Sequence, residues 1–332
     1  MSVTIKDVAR EAGVSVATVS RVLNGSANVS EASSKLVHET VQRLGYSPNF
    51  LGRNLRKRET NVILVIMPTS EHSLYGTIIS GMQEYACKLG YDIISASYYN
   101  VADAEIRQMN MLFNRTVDGA VLLGTSLSAE KLNELAKNYS IALCCEGVEG
   151  ADVLTVAVDD EQAGYDAAKV LIGLGHKKIG LICVDTANVS SRKRENGYLR
   201  ALRDSGLEVR DEYIWRGNYE AHNGADAMAH FMSLDDKPTA VFAVSDLLAV
   251  AACKKAQSMG LTVGKDISVM GFDNISMCEM FTPTLSTVSQ PCRKMGEFVA
   301  RKLIENIGSA NKDKKFYYMG HDIILRESTG KV

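Results

Sequence analysis

No stretch of the sequence is apolar over the roughly 18–20 residues that a membrane-spanning helix needs. The amino-terminal segment MSVTIKDVAR also lacks the basic-then-apolar layout of a secretory signal. The seven cysteines are scattered, odd in number and without a C-x-x-C pair, which favours buried free thiols over a metal site or a disulfide framework. These absences predict a cytoplasmic protein with no membrane contact and no metal.

Common motifs of nucleotide-binding and hydrolytic enzymes are missing as well. The chain has no G-x-x-x-x-G-K-[ST] phosphate loop, no G-x-G-x-x-G fingerprint and no G-x-S-x-G nucleophile elbow. None of its six histidines is paired at the H-x-x-x-H spacing that a zinc site on a helix needs. We therefore expect neither catalysis nor a cofactor.

The composition and charge of the chain point to a globular protein with a basic head. Its 332 residues suffice for about two domains. The overall charge of −2 is unevenly distributed: residues 1–60 hold nine basic and five acidic side chains, a net charge of +4, so the remainder carries −6. A basic head on an acidic body is typical of proteins that contact a polyanion.

The first residues have the pattern of two short helices joined by a tight turn. Thr4 forms a capping box with Asp7, and Gly13 ends the first helix. Ser15 caps a second helix, which ends at Asn24 and the glycine after it. Two short helices separated by about three residues, one of them glycine, form the helix-turn-helix layout.

The second helix has a polar face built from short side chains. Its outward residues are Val16, Ala17, Ser20 and Arg21. Because only the arginine is long, this helix can enter a major groove about 12 Å wide, where Arg21 reaches guanine edges or phosphate. Ser15, Thr18 and Ser20 suit phosphate oxygens. An ordinary helical hairpin with a solvated polar face is the alternative.

A third helix is predicted between a Ser30 cap and Gly45, and it closes a small core. Its predicted buried side consists of Leu36, Val37, Thr40, Val41 and Leu44. The basic segment 47–60 follows. Because a short basic helix without core partners is marginal, we expect a flexible linker in the free protein that folds on DNA.

The run VTIKDVAREAGVSVATVSRVLNG, followed by YSPNFLGRNLRKR, resembles the DNA-binding head and hinge of the lactose/galactose repressor (LacI/GalR) family. The resemblance implies base reading by Val16, Ala17 and Arg21. It also implies a dimer on a palindromic operator, with Leu55 of each subunit inserted into the minor groove. The remaining predicted DNA contacts are Thr4, Ser15, Thr18, Ser20, Asn24, Ser30, Tyr46, Asn49 and Arg53.

After residue 60, apolar runs alternate with amphipathic helices, which indicates parallel sheets covered on both faces. The predicted strands are 62–67, 91–97, 119–123, 141–145, 179–184, 240–244 and 267–272. The predicted helices are 76–88, 104–114, 161–174, 192–204 and 247–259. The expected fold is α/β, with an all-α head and two doubly wound subdomains. The expected domains are the head 1–46, a hinge 47–60, subdomain one (about 61–157 and 290–320) and subdomain two (about 158–289 and 321–332).

Polar side chains stand where the predicted strands end, which is where doubly wound folds bind ligands. Glu146, Asp246 and Asp273 each end an apolar run. Arg194 lies early in a helix, and Gln290 follows the segment STVS. Carboxylates that accept hydroxyls and a guanidinium that donates suit a polyhydroxylated ligand. Capping of the following helices is the alternative role for the carboxylates.

This part of the chain also resembles the family's periplasmic-binding-protein-like core. The motifs SRKRENGY, FAVSD, MGFDN and STVSQP match segments that line the family's effector cleft. Glu146 departs from the aspartate of several members. The predicted effector-site residues are Tyr75, Glu146, Asp159, Arg194, Tyr219, Asp246, Asp273 and Gln290.

The sequence as a whole predicts a DNA-binding transcription regulator that responds to a small polar effector, with a repressor and a sugar as the favoured choices. The carboxyl-terminal segment has no leucine heptads, so a homodimer is favoured over a tetramer. A sugar-binding protein and a sugar-acting enzyme on the same core are the alternatives.

Overall fold

The computed structural model describes residues 3–23, 29–46, 59–70, 72–99, 101, 103–184 and 189–332. The chain divides into two units, Met1–Thr60 and Asn61–Val332. Within the described ranges, no helix is both long enough and apolar enough to cross a membrane.

Three helices around a small apolar core form the described part of the first unit. They are α1 (Ile5–Glu11), α2 (Val16–Leu23) and α3 (Glu31–Leu44). Val8, Val19 and Val37, one from each helix, are fully buried and pack together. Gly45 ends α3 with φ = 60°, a left-handed conformation that glycine adopts without strain.

One predicted core position of this unit is wrong. Leu36 is 46% exposed, whereas Val37 and Thr40 are buried. Each helical residue is turned by about 100° from the one before it. The buried stripe through Val37 and Thr40 therefore leaves Leu36 on the solvent side.

The second unit contains two six-stranded sheets covered by helices. The strands are β1 (Val62–Met67), β2 (Asp92–Ser97), β3 (Gly119–Leu122), β4 (Ser140–Cys145), β5 (Leu154–Val158), β6 (Ile179–Val184), β7 (Ile214–Gly217), β8 (Ala240–Ala243), β9 (Ser268–Asp273), β10 (Ser286–Ser289), β11 (Phe316–Met319) and β12 (Asp322–Ile324). The helices are α4 (Ser73–Lys88), α5 (Ala104–Phe113), α6 (Ala129–Asn138), α7 (Asp160–Gly173), α8 (Val189–Asp204), α9 (Ala221–Ser233), α10 (Asp246–Ser258), α11 (Met277–Met280) and α12 (Cys292–Asn306), with a 3-10 turn at Asp211–Tyr213.

The two sheets have the same strand plan. Their orders are β2-β1-β3-β4-β5-β11 and β7-β6-β8-β9-β10-β12. The first sheet is parallel throughout, and in the second only β12, paired with β10, runs antiparallel. Each sheet with its helices forms one subdomain, and the α/β expectation of two doubly wound subdomains is confirmed.

The chain passes from one sheet to the other three times. It leaves the first sheet after β5 and enters α7, which packs in the core of the second sheet. It returns after β10 into α12, which packs in the core of the first sheet, and it crosses again between β11 and β12. The three crossing segments therefore lie beside the loops that follow the parallel strands of both sheets.

Helices α7 and α8 are in close contact at two glycines. A Cβ atom at Gly197 would lie 2.0 Å from the backbone oxygen of Glu161, and one at Gly164 would lie 2.4 Å from that of Arg194. Larger residues would therefore push the two helices apart. This close packing places Arg194 beside the first turn of α7.

Candidate functional site

The exposed face of α2 is available for contact with another molecule. Val16 is 41% exposed, and Ala17 and Arg21 are also exposed, while Val19 and Val22 are buried against the small core. The predicted orientation of α2 is therefore present in the structure: its short side chains and its arginine project away from the unit.

Several hydroxyl groups of the first unit lie at helix amino termini. The Ser15 hydroxyl accepts a hydrogen bond from the Thr18 backbone N–H at 3.0 Å, and the two hydroxyls are 2.8 Å apart. Ser30 caps α3. Thr4 donates its hydroxyl and its backbone N–H to Asp7 and lowers the pKa of that carboxyl. Backbone N–H groups and the helix dipole make such positions favourable for phosphate.

The other predicted DNA contacts differ in how much the structure describes. Ser20 is half-buried on α2, and Tyr46 is half-buried against the core of the first unit. Four predicted contacts lie outside the described residues: Asn24, Asn49, Arg53 and Leu55.

Arg194 is the centre of a buried ionic cluster in the second unit. Its side chain is 7% exposed; Nε donates to Asp160 Oδ1 at 2.8 Å, and Nη1 donates to the backbone oxygen of Val244 at 2.7 Å. The guanidinium carbon lies 3.5 Å from the ring centroid of Phe272. Burial alone would lower the pKa of Arg194, but Asp160 and Asp273 raise it above its usual value. The guanidinium is therefore charged and held in place.

Asp273 connects the two sheets at the end of β9. Gln290 Nε2 donates to Asp273 Oδ1 at 2.7 Å, and Arg194 Nη1 lies 3.7 Å from the same oxygen. On the other side, His72 Nε2 lies 3.8 Å from Asp273 Oδ2. Burial raises the pKa of the Asp273 carboxyl, against the opposing charges of Arg194 and His72. Of these partners, His72 was not predicted, since no motif surrounds it.

Asp246 is fully buried, and its two oxygens are bonded within the protein. Oδ1 accepts the Thr287 hydroxyl at 2.6 Å, and Oδ2 accepts the Ile275 backbone N–H at 2.9 Å. A Cβ atom at Gly271 would lie 2.2 Å from Oδ1, so glycine makes room for the carboxylate. Burial, followed by the nearby Asp273, raises the pKa of Asp246 to about 7. Asp246 therefore links β10 to the segment that follows β9 by hydrogen bonds.

Glu146, Tyr75 and Tyr98 lie on the side of the first sheet, whereas Tyr219 follows β7 of the second sheet. Glu146 follows β4, and its carboxylate accepts the Ser190 backbone N–H at 3.4 Å. Burial raises the pKa values of Tyr75 and Tyr98, and negatively charged neighbours that include Glu146 raise them further. Burial also raises the pKa of Tyr219 to about 12. These groups therefore share one poorly solvated region with Arg194.

Two adjacent aspartates at the start of α7 have different positions. Asp159 is exposed and caps the helix by accepting the Gln162 backbone N–H at 3.0 Å. Asp160 is buried and bonds Arg194. Sequence reasoning selected Asp159 and missed Asp160, because adjacent carboxylates give the same signal in the sequence.

A cavity of about 460 Å³ adjoins this cluster on the side of Asp273 and Gln290. Its wall combines Leu74 of α4 with Asn274 of the second sheet and Lys294 of α12. The volume falls in the range of small-molecule sites, about 300–1,000 Å³. Arg194, Glu146 and Tyr219 are not part of this wall, so the polar cluster and the cavity meet at Asp273 and Gln290. In the described part of the chain, no three His, Cys, Asp or Glu side chains converge as a metal site would require.

Both units match families of known proteins. Residues 4–49 match the family described as "Bacterial regulatory proteins, lacI family", and residues 60–318 match "Periplasmic binding proteins and sugar binding domain of LacI family". The chain therefore belongs to the LacI family of bacterial transcription regulators, and it combines a DNA-binding head with a small-molecule-binding core.

Individual relatives extend over the whole chain. It is 36% identical to the catabolite control protein A of Priestia megaterium, over 99% of this chain and 100% of that protein. It is 31% identical to the HTH-type transcriptional repressor PurR of Aliivibrio salmonicida, over 99% of each.

Two solved structures have the same fold. One is the Lac repressor dimer bound to operator and the anti-inducer ONPF, with 24% identity, a TM-score of 0.89 and coverage of 99% of this chain and 100% of that one. The other is the complex of the transcriptional regulator CelR with cellobiose, with 28% identity, a TM-score of 0.73 and coverage of 98% and 99%.

Proposed function

We propose that the chain represses transcription as a homodimer on a palindromic operator, in the cytoplasm, and that a small polar effector bound between the two subdomains changes its affinity for that operator. The observation that carries the DNA-binding half is the exposed face of α2, with Val16, Ala17 and Arg21 projecting from a helix that Val19 and Val22 anchor. A palindrome follows from dimer symmetry, since each subunit presents one such helix.

On DNA, α2 reads the major groove. The short side chains of Val16 and Ala17 allow close approach to base edges, and the Arg21 guanidinium donates two hydrogen bonds to a guanine. Ser15, Thr18 and the helix amino termini receive phosphates, which fixes the position of the head without reading sequence. The Lac repressor dimer, which shares the fold, is described as bound to its operator.

The effector half of the proposal rests on the polar cluster at the strand ends. Arg194 and Gln290 supply donors, while Glu146 and Asp273 supply acceptors, and the ring of Tyr219 offers a flat apolar surface. Such a set suits a ligand with several hydroxyl groups, and the complex of CelR with cellobiose supports a sugar. Because the cluster includes groups of both sheets, a ligand here favours one arrangement of the subdomains over another.

We infer that the cleft binds its ligand without converting it. Three of the carboxylates that could serve as acid and base, those of Asp160, Asp273 and Asp246, are bonded to Arg194, Gln290 and Thr287. Carboxylates in this role orient a ligand and do not need to transfer protons. A sugar recovered unchanged after prolonged incubation with the protein agrees with this inference, and turnover contradicts it.

The DNA-binding proposal is tested by selecting operator sites from random duplex DNA with the full chain. Affinity for the selected site is then measured by fluorescence anisotropy for the wild type, Arg21→Ala and Arg43→Ala. Arg43 is a matched control, because it is an exposed arginine of the same unit that pairs with Glu11. We expect Arg21→Ala to lose about 1–3 kcal/mol of discrimination against a site with an altered base pair.

The control variant is expected to keep that discrimination. Enrichment of no site from the random pool contradicts the proposal, and so does an equal loss in the two variants.

A further inference from the structure

The proposed effector cleft contains the carboxylate of Glu146, whose charge is balanced by no ion pair of the described residues. Among the ion pairs of the residues that the structure describes, Arg194 bonds Asp160 and approaches Asp273, and none includes Glu146. The Glu146 carboxylate accepts the Ser190 backbone N–H at 3.4 Å. Burial raises the pKa of Glu146. A positive group placed beside this carboxylate would therefore be strongly favoured.

The cations already present do not remove this excess of negative charge. Among the described residues, three buried carboxylates and the half-buried Glu146 gather at the strand ends; the buried ones are Asp160, Asp246 and Asp273. The positive side chains that face them are the buried Arg194, the half-buried Lys193 and, when it is protonated, His72. Lys294, on the wall of the adjoining cavity, is exposed, so solvent screens its charge. Burial raises the pKa of all four carboxyls, because it makes their charged forms costly, and a positive group beside them would offset that cost.

Aromatic rings complete the wall of this region. The ring centroid of His72 lies 5.4 Å from that of Tyr75 and 6.0 Å from that of Tyr219. The faces of such rings attract cations, and the attraction is stronger when water is excluded from the site. Rings and an unbalanced carboxylate together are the environment in which proteins hold an ammonium group.

One buried ring nitrogen of the cleft is available to a ligand. Nδ1 of His72 is buried and has no hydrogen-bond partner. Because Nε2 faces the Asp273 carboxylate, the proton of the neutral ring is favoured on Nε2, which leaves Nδ1 as an acceptor. Leaving a buried acceptor without a partner is unfavourable. Nδ1 of His72 thus favours a ligand that places a donor beside it.

On the basis of the proposed function, we propose that the effector is an amino sugar, and that its ammonium group lies against Glu146 and the rings of Tyr75 and Tyr219. Its hydroxyl groups are then bonded by Arg194, Asp273 and Gln290 in the manner already described. An anionic ligand, such as a sugar phosphate, is disfavoured by the surrounding carboxylates.

The test compares matched ligands that differ in one group. Thermal unfolding of the full chain is followed with glucosamine, galactosamine, mannosamine and the β-1,4-linked disaccharide of glucosamine. Each is paired with its parent neutral sugar and with its N-acetylated form, in which the nitrogen belongs to an uncharged amide. Glucose 6-phosphate, adenosine and hypoxanthine represent the other ligand classes. We expect one amine to raise the Tm, and calorimetry to give it a Kd at least tenfold lower than those of its two neutral counterparts.

Two variants then locate the charge. Glu146→Gln keeps the shape of the side chain and removes its charge, so we expect it to abolish the tenfold preference for the amine. Glu161→Gln, at an exposed carboxylate that pairs with Arg200, is the control and should keep that preference.

Three outcomes overturn the inference: a neutral sugar that binds as tightly as its amine, an amine preference that persists in Glu146→Gln, or a panel in which no amino sugar raises the Tm. If a neutral sugar, a nucleoside or a purine raises the Tm in that last case, the proposed effector cleft stands and only the inference about the amine fails. If no ligand of any class raises the Tm, the proposed effector site fails with it.

Discussion

Arg194 and Asp160 form a buried ion pair in which Arg194 Nε lies 2.8 Å from Asp160 Oδ1, with side chains 7% and 3% exposed. The pair joins the first turn of α7 to the middle of α8, at the place where two glycines allow these helices to touch. The guanidinium is thus oriented by the protein before a ligand arrives. A site organised in advance spends less of its binding energy on ordering its own groups.

We predict that Arg194→Ala destabilises the core and abolishes effector binding. Removing one partner of a buried pair costs about 3–5 kcal/mol, because Asp160 and Asp273 are left without their cation. Urea unfolding measures the loss. Arg200→Ala is the control, since Arg200 forms an ion pair between the same two helices but is 38% exposed; such surface pairs contribute about 0–1 kcal/mol. Equal losses in the two variants would contradict the assigned role of Arg194.

Asp246 predicts a measurable pH dependence. Its pKa is raised to about 7 by burial and by Asp273, whereas the unfolded chain loses this proton near an ordinary pKa of about 3.9. Between these values the folded state binds more protons, so the contribution of this group to stability falls as the pH rises from about 4 to 7. The groups that face it are the Asp273 carboxylate, the Cys278 thiol, the Thr287 hydroxyl and the Ile275 N–H.

The variant Asp246→Asn cannot titrate at this position. We therefore expect the wild type to gain stability relative to Asp246→Asn when the pH is lowered from 7.5 to 5, by up to about 1.4 kcal/mol per pH unit. Urea unfolding at several pH values provides the comparison. Parallel pH profiles for the two proteins would show that Asp246 does not carry a raised pKa.

Contact between α7 and α8 predicts opposite effects for two glycine substitutions. Gly197→Ala places a Cβ atom 2.0 Å from the backbone oxygen of Glu161, and we expect it to cost about 1–3 kcal/mol and to weaken effector binding as the Arg194–Asp160 pair is strained. A Cβ atom at Gly173 would have no other atom within 4 Å. Gly173→Ala should therefore stabilise the protein by about 0.4–1 kcal/mol, because alanine restricts the unfolded chain more than glycine does. Thermal unfolding measures the stability of both variants. A Gly197→Ala variant as stable as the wild type would contradict the close contact between the helices.

Much of the α/β fold could be predicted from hydrophobic patterning. The bounds of β1 and β6 agree with prediction, because both are continuous apolar runs that a polar residue precedes and that Pro68 and Asp185 follow. The strands β5, β7, β10, β11 and β12 were not predicted. Of these, β7, β11 and β12 have three or four residues and are half exposed, so they lack the apolar run that marks a buried strand. The strands β5 and β10 are mostly buried, but their sequences LTVAV and STVS include hydroxyl residues that interrupt the apolar run.

The polar cluster could be predicted only in part. Arg194, Asp273 and Gln290 were found because each lies in or beside a motif at the end of a strand, and the structure brings them together. Asp160 and His72 were missed for different reasons. Asp160 differs from its neighbour Asp159 only by the direction of its side chain, and His72 gains its place from the tertiary contact with Asp273. Such roles depend on packing across the two sheets, which patterning along one chain does not encode.

The central claim is that ligand binding in the core controls DNA binding by the head, and operator affinity measured with and without the effector tests it most directly. The site selected from random DNA is titrated with the full chain, in the absence of ligand and with the compound that raises the Tm at saturation. We predict that the effector changes the operator Kd about 5–150-fold and that operator changes the effector Kd by the same factor. In Arg194→Ala, we expect the operator Kd to be the same with and without the effector. An operator Kd that is the same with and without a ligand that demonstrably binds would contradict it.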